Sequence, residues 1–157
     1  GKDKQAGLSE LGKRFCERVY DQGALVDVSH MSDRAFDDLA AIADKRGLPI
    51  VATHSNARAV TNHPRNLPDA ALRKIAKSGG VAGLNLHHTF LRDGGGASTD
   101  DAVRHVLHMV SVMGIDHVAL GTDFDGGTPP TELADASAMP KLAEALRAAG
   151  LTPADVH

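Results

Sequence analysis

Two patterns of apolar residues alternate along the chain, and their order predicts a sheet layered with helices. Short apolar runs are typical of buried strands, and they lie at 24–29, 49–53, 81–85 and 117–123. Around them apolar residues recur at helical spacing, in the segments 8–23, 33–47, 69–78, 100–114 and 139–150. Strands that alternate with helices in this way pair in parallel through right-handed crossovers. The sequence therefore predicts an α/β fold with a parallel sheet.

Capping and breaking residues mark the predicted ends of these elements. Ser32 precedes the second helix as its predicted N-cap, and Gly47 follows that helix as a C-terminal stop. The glycine-rich segment 87–98 predicts a long flexible loop. Thr152, followed by a proline, predicts the start of one more helix near the end of the sequence.

Composition narrows the class of protein. The 157 residues are 42% hydrophobic, which is typical of one globular domain with a sizeable core. The net charge of −3, with both signs mixed, and only five aromatic residues give no basic, stacking surface for a nucleic acid. No apolar run approaches the roughly 20 residues of a membrane span. Cys16 is the single cysteine, so no disulfide can form within the chain, and we expect a half-buried thiol there.

Candidate chemistry falls where three predicted strands end. His30 follows the first strand, His54 the second and Asp123 the fourth. Because functional sites in parallel α/β folds lie at the carboxyl ends of the strands, these side chains are expected to meet. Neutral imidazole is a good zinc ligand, so the two histidines form a candidate metal site. The alternative is that each histidine only caps a loop, and two ligands are in any case too few for zinc.

Strand alternation extends this expectation to the residues beneath the site. Side chains of one parity share a face of a strand. If the two histidines and Asp123 point into an interior, small or apolar partners should line it, namely Val26, Val28, Ile50, Ala52, Ala119 and Gly121. Asp27 then faces away from His30 and is expected to pair with the helix layer.

Four segments, taken in order, resemble one known family. They are VDVSH (26–30), THSNARAVTNHPRN (53–66), GGVAGLN (79–85) and GTDFDGG (121–127). Together they are similar to the membrane (renal) dipeptidase family of zinc peptidases, over nearly the whole chain. The resemblance implies a parallel (β/α)8 TIM-type barrel, of which residues 1–157 supply about four C-terminal βα units. The N-terminal half of that barrel is then absent from this chain.

The resemblance also implies an activity and roles for four residues. Family members hydrolyse dipeptides at a site with two zinc ions, where a hydroxide that bridges the metals attacks the amide. His30 and His54 match the histidines that hold one zinc, and Arg65 matches the arginine that binds the substrate's C-terminal carboxylate. Asp123 matches the active-site acid, which also lies against the substrate and handles the proton for the leaving amine.

The chain departs from the family pattern in its other metal ligands. None of the nine histidines is followed two places later by Asp, and no Glu ends a predicted strand, whereas the family uses a His-x-Asp pair and a bridging Glu. Three hypotheses follow: half of a zinc dipeptidase, another amidohydrolase-type metal hydrolase, or a non-catalytic half-barrel fragment. The expected partners are a dipeptide, the missing half barrel in the same or a separate chain, and a second copy in a homodimer. The Ala-rich, single-cysteine composition favours a bacterial cytoplasmic enzyme.

Five further polar residues have simpler expected roles. His105 and His108, three apart on one helix, are expected on a solvated surface. His87 lies after the third strand and either lines the pocket or packs in its loop. Asn56 and Asn66 are expected to brace the loop that places Arg65.

Overall fold

The fold is a small parallel sheet with helices packed against one face. The computed structural model describes residues 6–156. The strands β1 (Val51–Ala52), β2 (Val81–Leu84) and β3 (Val118–Leu120) pair in parallel in the order β1-β2-β3. The α-helices are α1 (Glu10–Asp21), α2 (Asp33–Arg46), α3 (Asp69–Lys77), α4 (His88–Leu91), α5 (Thr99–Met113) and α6 (Met139–Ala148). Single 3₁₀ turns lie at Ile115–His117, Thr131–Leu133 and Ala136–Ala138. This order confirms the predicted α/β class with a parallel sheet.

The predicted capping residues account for where the helices begin and end. Ser32 accepts a hydrogen bond from the Ala35 N–H at the start of α2, and Gly47 ends that helix in the left-handed conformation at φ 63°. Segment 87–98, predicted as a loop, instead contains the one-turn helix α4. The helix predicted from Thr152 is not formed through residue 156, where the chain makes turns, although Thr152 and Asp155 bond each other reciprocally as in a helix capping box.

The first predicted strand, 24–29, is wrong as a strand. It makes one bridge, between Asp27 and Val51, and the Val28 N–H donates to the Val51 carbonyl at 2.9 Å. Pairing stops there because the Asp27 carboxylate takes the Thr53 N–H, at 2.9 Å. A side chain has replaced a backbone carbonyl in the ladder, and the segment continues as an extended edge.

The apolar core lies between the sheet and the helices, which reverses the predicted parity. Val28, Ile50 and Ala52 are buried in one cluster with residues of α1, α2, α3 and α5, and Val26 packs against it. The prediction that these four residues line an interior site is therefore wrong. Thr53, of the opposite parity, lies on the open face. The chain bends or turns at each histidine, so parity along the strand does not carry over to His30 and His54.

Two glycines allow the sheet to bend sharply beneath its carboxyl edge. A Cβ on Gly121 would lie 1.7 Å from the Thr53 carbonyl oxygen, and a Cβ on Gly83 would lie 2.2 Å from the same atom. The sequence predicted that Gly121 lines an interior beneath Asp123. Gly121 instead permits a close backbone approach, which brings the end of β1 next to the end of β3.

Within residues 6–156 no helix is long and apolar enough to cross a membrane.

Candidate functional site

Two histidine side chains converge at the carboxyl edge of the sheet. His30 follows the extended edge segment and His54 follows β1. Their Nε2 atoms lie 2.9 Å apart, and the rings meet edge to face with centroids 5.0 Å apart. Burial lowers the pKa of His30, and the charges of Arg65 and then His54 lower it further, so the ring is held neutral. A neutral imidazole is the form that can ligate a metal.

Behind His54 lies a network centred on Asp27. The Asp27 carboxylate accepts from the N–H and hydroxyl of Ser29, at 3.0 and 2.7 Å. It also accepts from the N–H and hydroxyl of Thr53, at 2.9 and 2.6 Å. Burial pushes the pKa of Asp27 up, but these hydrogen bonds together hold it below its usual value. Asp27 therefore faces the site side of the sheet, and the prediction that it pairs with the helix layer is wrong.

Arg65 reaches the histidines from the loop between β1 and α3. Its guanidinium lies 3.1 Å from the Nε2 of His30 and stacks over the Phe90 ring at 5.4 Å. Its backbone N–H donates to the Nδ1 of His63, at 3.1 Å. Burial lowers the pKa of Arg65, while Asp123 and Asp27 act in the other direction. The result is a partly buried cation held beside the two imidazoles.

Asp123 completes the cluster from the segment after β3. It is the one non-glycine residue of positive φ among residues 6–156, at 61°. Its carbonyl accepts from the N–H groups of Gly126 and Gly127, at 3.1 and 2.8 Å, and this turn supports the unusual backbone. Its Oδ2 accepts from the Asn85 side-chain amide at 3.0 Å. A non-glycine residue held at positive φ is a feature that concentrates at functional sites.

Two asparagines hold these segments in register. The Asn56 amide donates to the Asn85 carbonyl at 2.9 Å, and its oxygen accepts the Asn85 N–H at 2.8 Å. Asn66 donates to the carbonyls of Thr61 and Phe90, at 2.9 and 2.8 Å. Both side chains are buried. Asn66 thus braces the loop of Arg65 as predicted, whereas Asn56 joins the ends of β1 and β2.

The histidines of α5 do not form a solvated pair. His105 is fully buried, so its predicted surface position is wrong. It accepts from the Ala57 N–H at 3.2 Å, while its Nε2 lies 3.1 Å from the Leu91 carbonyl. His108 is partly buried and bonds Asp69 of α3 at 2.8 Å. Helical spacing alone does not show that a polar residue links a helix to a buried loop.

The donor set fits part of a metal site. Two ring nitrogens that face each other at 2.9 Å need either a hydrogen between them or a cation lying against both. His30 and His54 therefore suit two positions of a zinc, which prefers four nitrogen, sulfur or oxygen ligands. Residues 6–156 contain no group of three or more His, Cys, Asp or Glu side chains that is arranged to hold a metal by itself. The remaining ligands of such a site have to come from elsewhere.

The sequence prediction identified four of the side chains that meet here and missed three. The structure brings His30, His54 and Arg65 into contact and places Asp123 beside them through Asn85. The missed residues are Asp27, Thr53 and Asn85. Asn85 directly follows β2, just as His54 closely follows β1, so its position at a strand end was a usable signal. Thr53 directly follows β1 and so carried the same signal, whereas Asp27 gave none, because its role depends on contacts across the sheet.

Comparison with known proteins settles the family. The model of the membrane dipeptidase family, peptidase family M19, matches residues 1–157. The chain belongs to this family. A crystal structure of a metallo peptidase from Rhodobacter sphaeroides, liganded with a phosphinate mimic of the dipeptide L-Ala-D-Ala, is 40% identical with a TM-score of 0.88. That match covers 95% of this chain and 43% of the other. The structure of the metallo peptidase called dipeptidase AC is 39% identical over 96% of this chain and 45% of its own, with a TM-score of 0.90.

Two curated relatives also match most of this chain, and both are longer than it. An uncharacterised protein of Klebsiella pneumoniae, encoded in the pqqA 5′ region, is 45% identical over 94% of this chain and 55% of its own length. An uncharacterised dipeptidase of Schizosaccharomyces pombe is 38% identical over 87% of this chain and 33% of its own. The chain thus spans from about a third to just over half of these relatives. The family to which this chain belongs is one of metallopeptidases, which are hydrolases, and its solved structures are TIM-like barrels.

Proposed function

We propose that this chain is the substrate-binding half of a zinc-dependent dipeptidase. One observation carries the proposal: two convergent imidazole nitrogens lie beside a guanidinium and a carboxylate at the carboxyl edge of a parallel sheet. That combination suits hydrolysis of a small peptide with a free C-terminus. Membership of the M19 family supports the same reaction.

Each of the four residues has a role that its chemistry supports. His30 and His54 hold one of two zinc ions, which supply Lewis-acid chemistry by activating a water and polarising the amide carbonyl. Arg65 grips the C-terminal carboxylate of the dipeptide, because a guanidinium binds a carboxylate through two parallel hydrogen bonds. Asp123, oriented by the Asn85 amide, carries the proton that the leaving amine needs.

We propose further that residues 1–157 form about half of a (β/α)8 barrel. The share of the dipeptidase structures that this chain covers, 43–45%, supports this division. Large apolar side chains also stand exposed on α1, on the extended edge segment and on β3, as expected of surfaces that a further part of the barrel covers. They are Leu11, Phe15, Leu25 and Leu120. That part is expected to supply the His-x-Asp pair and the bridging Glu.

Intact mass and zinc content of the purified protein test the assembly. A longer chain or a second polypeptide, with close to two zinc ions per site, is the expected result. A mass near 16.4 kDa with no zinc would contradict a working dipeptidase and favour a non-catalytic fragment.

The role of Arg65 is tested with matched substrates on the complete enzyme. L-Ala-D-Ala and its C-terminal amide differ only in the carboxylate that Arg65 is proposed to grip. Arg65→Ala is expected to lower kcat/KM for the dipeptide by about 100-fold or more, since one charge-assisted bidentate contact is worth roughly 3 kcal/mol, and to leave the amide nearly unaffected. Arg73→Ala, at an exposed arginine of α3, is the control. An equal loss on both substrates would assign Arg65 to structure and favour another amidohydrolase-type reaction.

A further inference from the structure

The hydroxyl of Thr53 has one proton, and the structure shows where that proton goes. Thr53 Oγ1 lies 2.6 Å from Asp27 Oδ2 and 2.7 Å from the Nδ1 of His54. Asp27 accepts three other hydrogen bonds, all at its Oδ1. A carboxylate with four donors around it is an acceptor only, and the 2.6 Å contact is typical of a hydroxyl donating to a charged oxygen.

The proton count then fixes the tautomer of His54. Because the Thr53 hydroxyl donates to Asp27, it can only accept at its contact with His54. The hydrogen of that contact must therefore lie on Nδ1 of His54. With its hydrogen on Nδ1, the ring can offer the lone pair of Nε2, the atom that faces His30 at 2.9 Å, to a cation. Without a cation a hydrogen has to fill that 2.9 Å contact, because Arg65 already donates to the Nε2 of His30 at 3.1 Å, but the hydrogen on Nδ1 is required in either state.

We propose that Asp27, acting through Thr53, is a positioning pair that holds His54 in the Nδ1–H tautomer with its Nε2 lone pair directed at the metal position. Metal-ligating histidines usually donate their second ring N–H to a carboxylate or a carbonyl, which fixes the ring and raises its basicity. Here a threonine hydroxyl stands between the carboxylate and the ring. The metal-ligand part of this inference rests on the proposed function, whereas the tautomer does not.

The same network also fixes the direction of the ring. The His54 N–H donates to the Ser29 hydroxyl at 3.0 Å, and that hydroxyl donates to Asp27. Both the backbone and the ring of His54 are thereby tied to one carboxylate on the neighbouring segment. Asp27 is reached across the sheet because it bridges Val51, two residues before Thr53. The edge segment and β1 thus carry their histidines in one fixed arrangement.

The tautomer is measured directly on the metal-free protein with ¹⁵N-labelled histidine. Long-range ¹H–¹⁵N spectra distinguish a protonated ring nitrogen from an unprotonated one. We expect His54 to be protonated at Nδ1 in the wild type and in Thr53→Ser, which keeps the hydroxyl. In Thr53→Val, which keeps the shape without the hydroxyl, we expect a mixture with the Nε2–H form. A wild-type ring without a hydrogen on Nδ1 would overturn the inference without any variant.

Metal affinity provides the second readout, by competition of zinc with a chromophoric chelator. Thr53→Val and Asp27→Asn are expected to weaken zinc binding by about 10- to 100-fold, and Thr53→Ser is expected to restore it to within about threefold of wild type. Thr89→Val makes the same atomic change at another threonine that contacts a histidine ring, His87, and is expected to leave the affinity unchanged. Circular dichroism checks that each variant is folded.

The outcomes separate this inference from the proposed function. A Thr53→Val protein that is folded, keeps the wild-type tautomer and binds zinc as tightly would refute the positioning role. A wild-type protein with the expected tautomer and bound zinc, but with no hydrolysis of dipeptides, would refute the function and leave the positioning role intact.

Discussion

His105 makes the stability of this fold sensitive to acid. The side chain is fully buried, and burial is the main cause that lowers its pKa from 6.5 to about 4. The hydrogen bond to Leu91 opposes this shift, as does Asp101, while Arg104 and His108 reinforce it. Protonation would also set Nδ1–H against the Ala57 N–H, which now donates to it at 3.2 Å. The folded state therefore holds a neutral ring that the unfolded chain protonates readily.

The sign and size of the effect follow from these two pKa values. The folded-state pKa lies below the unfolded one, so between pH 6.5 and about 4 the unfolded chain binds more protons. The contribution of His105 is thus fully present above pH 6.5 and is lost as the pH falls towards about 4. Between about pH 7.5 and about pH 4.5 this linkage amounts to roughly 2.5 kcal/mol of unfolding free energy.

Urea unfolding at those two pH values, for wild type and His105→Gln, measures the effect. Glutamine has a donor and an acceptor but does not titrate, so the variant should lose less stability in acid by about 2 kcal/mol, whatever its stability at neutral pH. His108→Gln removes a less buried histidine of the same helix and is expected to keep the acid sensitivity of the wild type. Identical losses in wild type and His105→Gln would refute the reasoning. Titration of His105 by NMR gives the same answer if the variant does not fold.

Two further predictions concern how the carboxyl edge is built. Gly121→Ala should lower the free energy of unfolding by at least about 2 kcal/mol, because the new Cβ would lie 1.7 Å from a carbonyl oxygen of β1's end. Its control is Gly12→Ala, within α1, where the nearest atom to the new Cβ lies at 3.4 Å, and this variant should raise the free energy of unfolding by about 0.5–1 kcal/mol. Urea unfolding that gave both variants the same stability change would contradict the close approach at Gly121. Asn56→Ala should cost about 2–5 kcal/mol by leaving the buried N–H and carbonyl of Asn85 without their partner. Asn62→Ala, at an exposed position, is its control, and a similar cost there would contradict this role.

Sequence periodicity was sufficient for the five longer helices and for the parallel sheet, but it missed α4 and predicted a first strand and a last helix that are not formed. The helix α2 begins and ends at its predicted capping residues, because Ser32 and Gly47 satisfy local requirements that no tertiary contact overrides. The strands are shorter than predicted. Apolar runs show where a segment is buried, but the ladder ends where a side chain such as Asp27 takes over a backbone donor. Nothing in the periodicity of 24–29 indicates that substitution.

Strand parity did not predict correctly why His30 and His54 lie together. Parity placed Ile50 and Val28 beneath the histidines, yet both lie in the helix-side core. The histidines still converge, because each follows a bend that turns the side chain back across the edge. What identified them was their place just beyond neighbouring parallel segments of chain, together with the order of four family segments. A position beyond the strand is set by topology and survives such a bend, whereas parity along the strand does not.

The groups that position the site are the least visible in the sequence. Asp27, Thr53 and Ser29 are ordinary residues of two segments that lie 24 or more residues apart, and they become a network only when those segments pair. A metal ligand is constrained by its own chemistry, so its residue type is a signal. A residue that positions a metal-binding histidine only has to bond the ring nitrogen that does not face the metal. Several residue types can do that, so the residue type gives no signal. The proton count through Thr53 is therefore an inference that only the folded chain allows, and the tautomer of His54 is where it can fail.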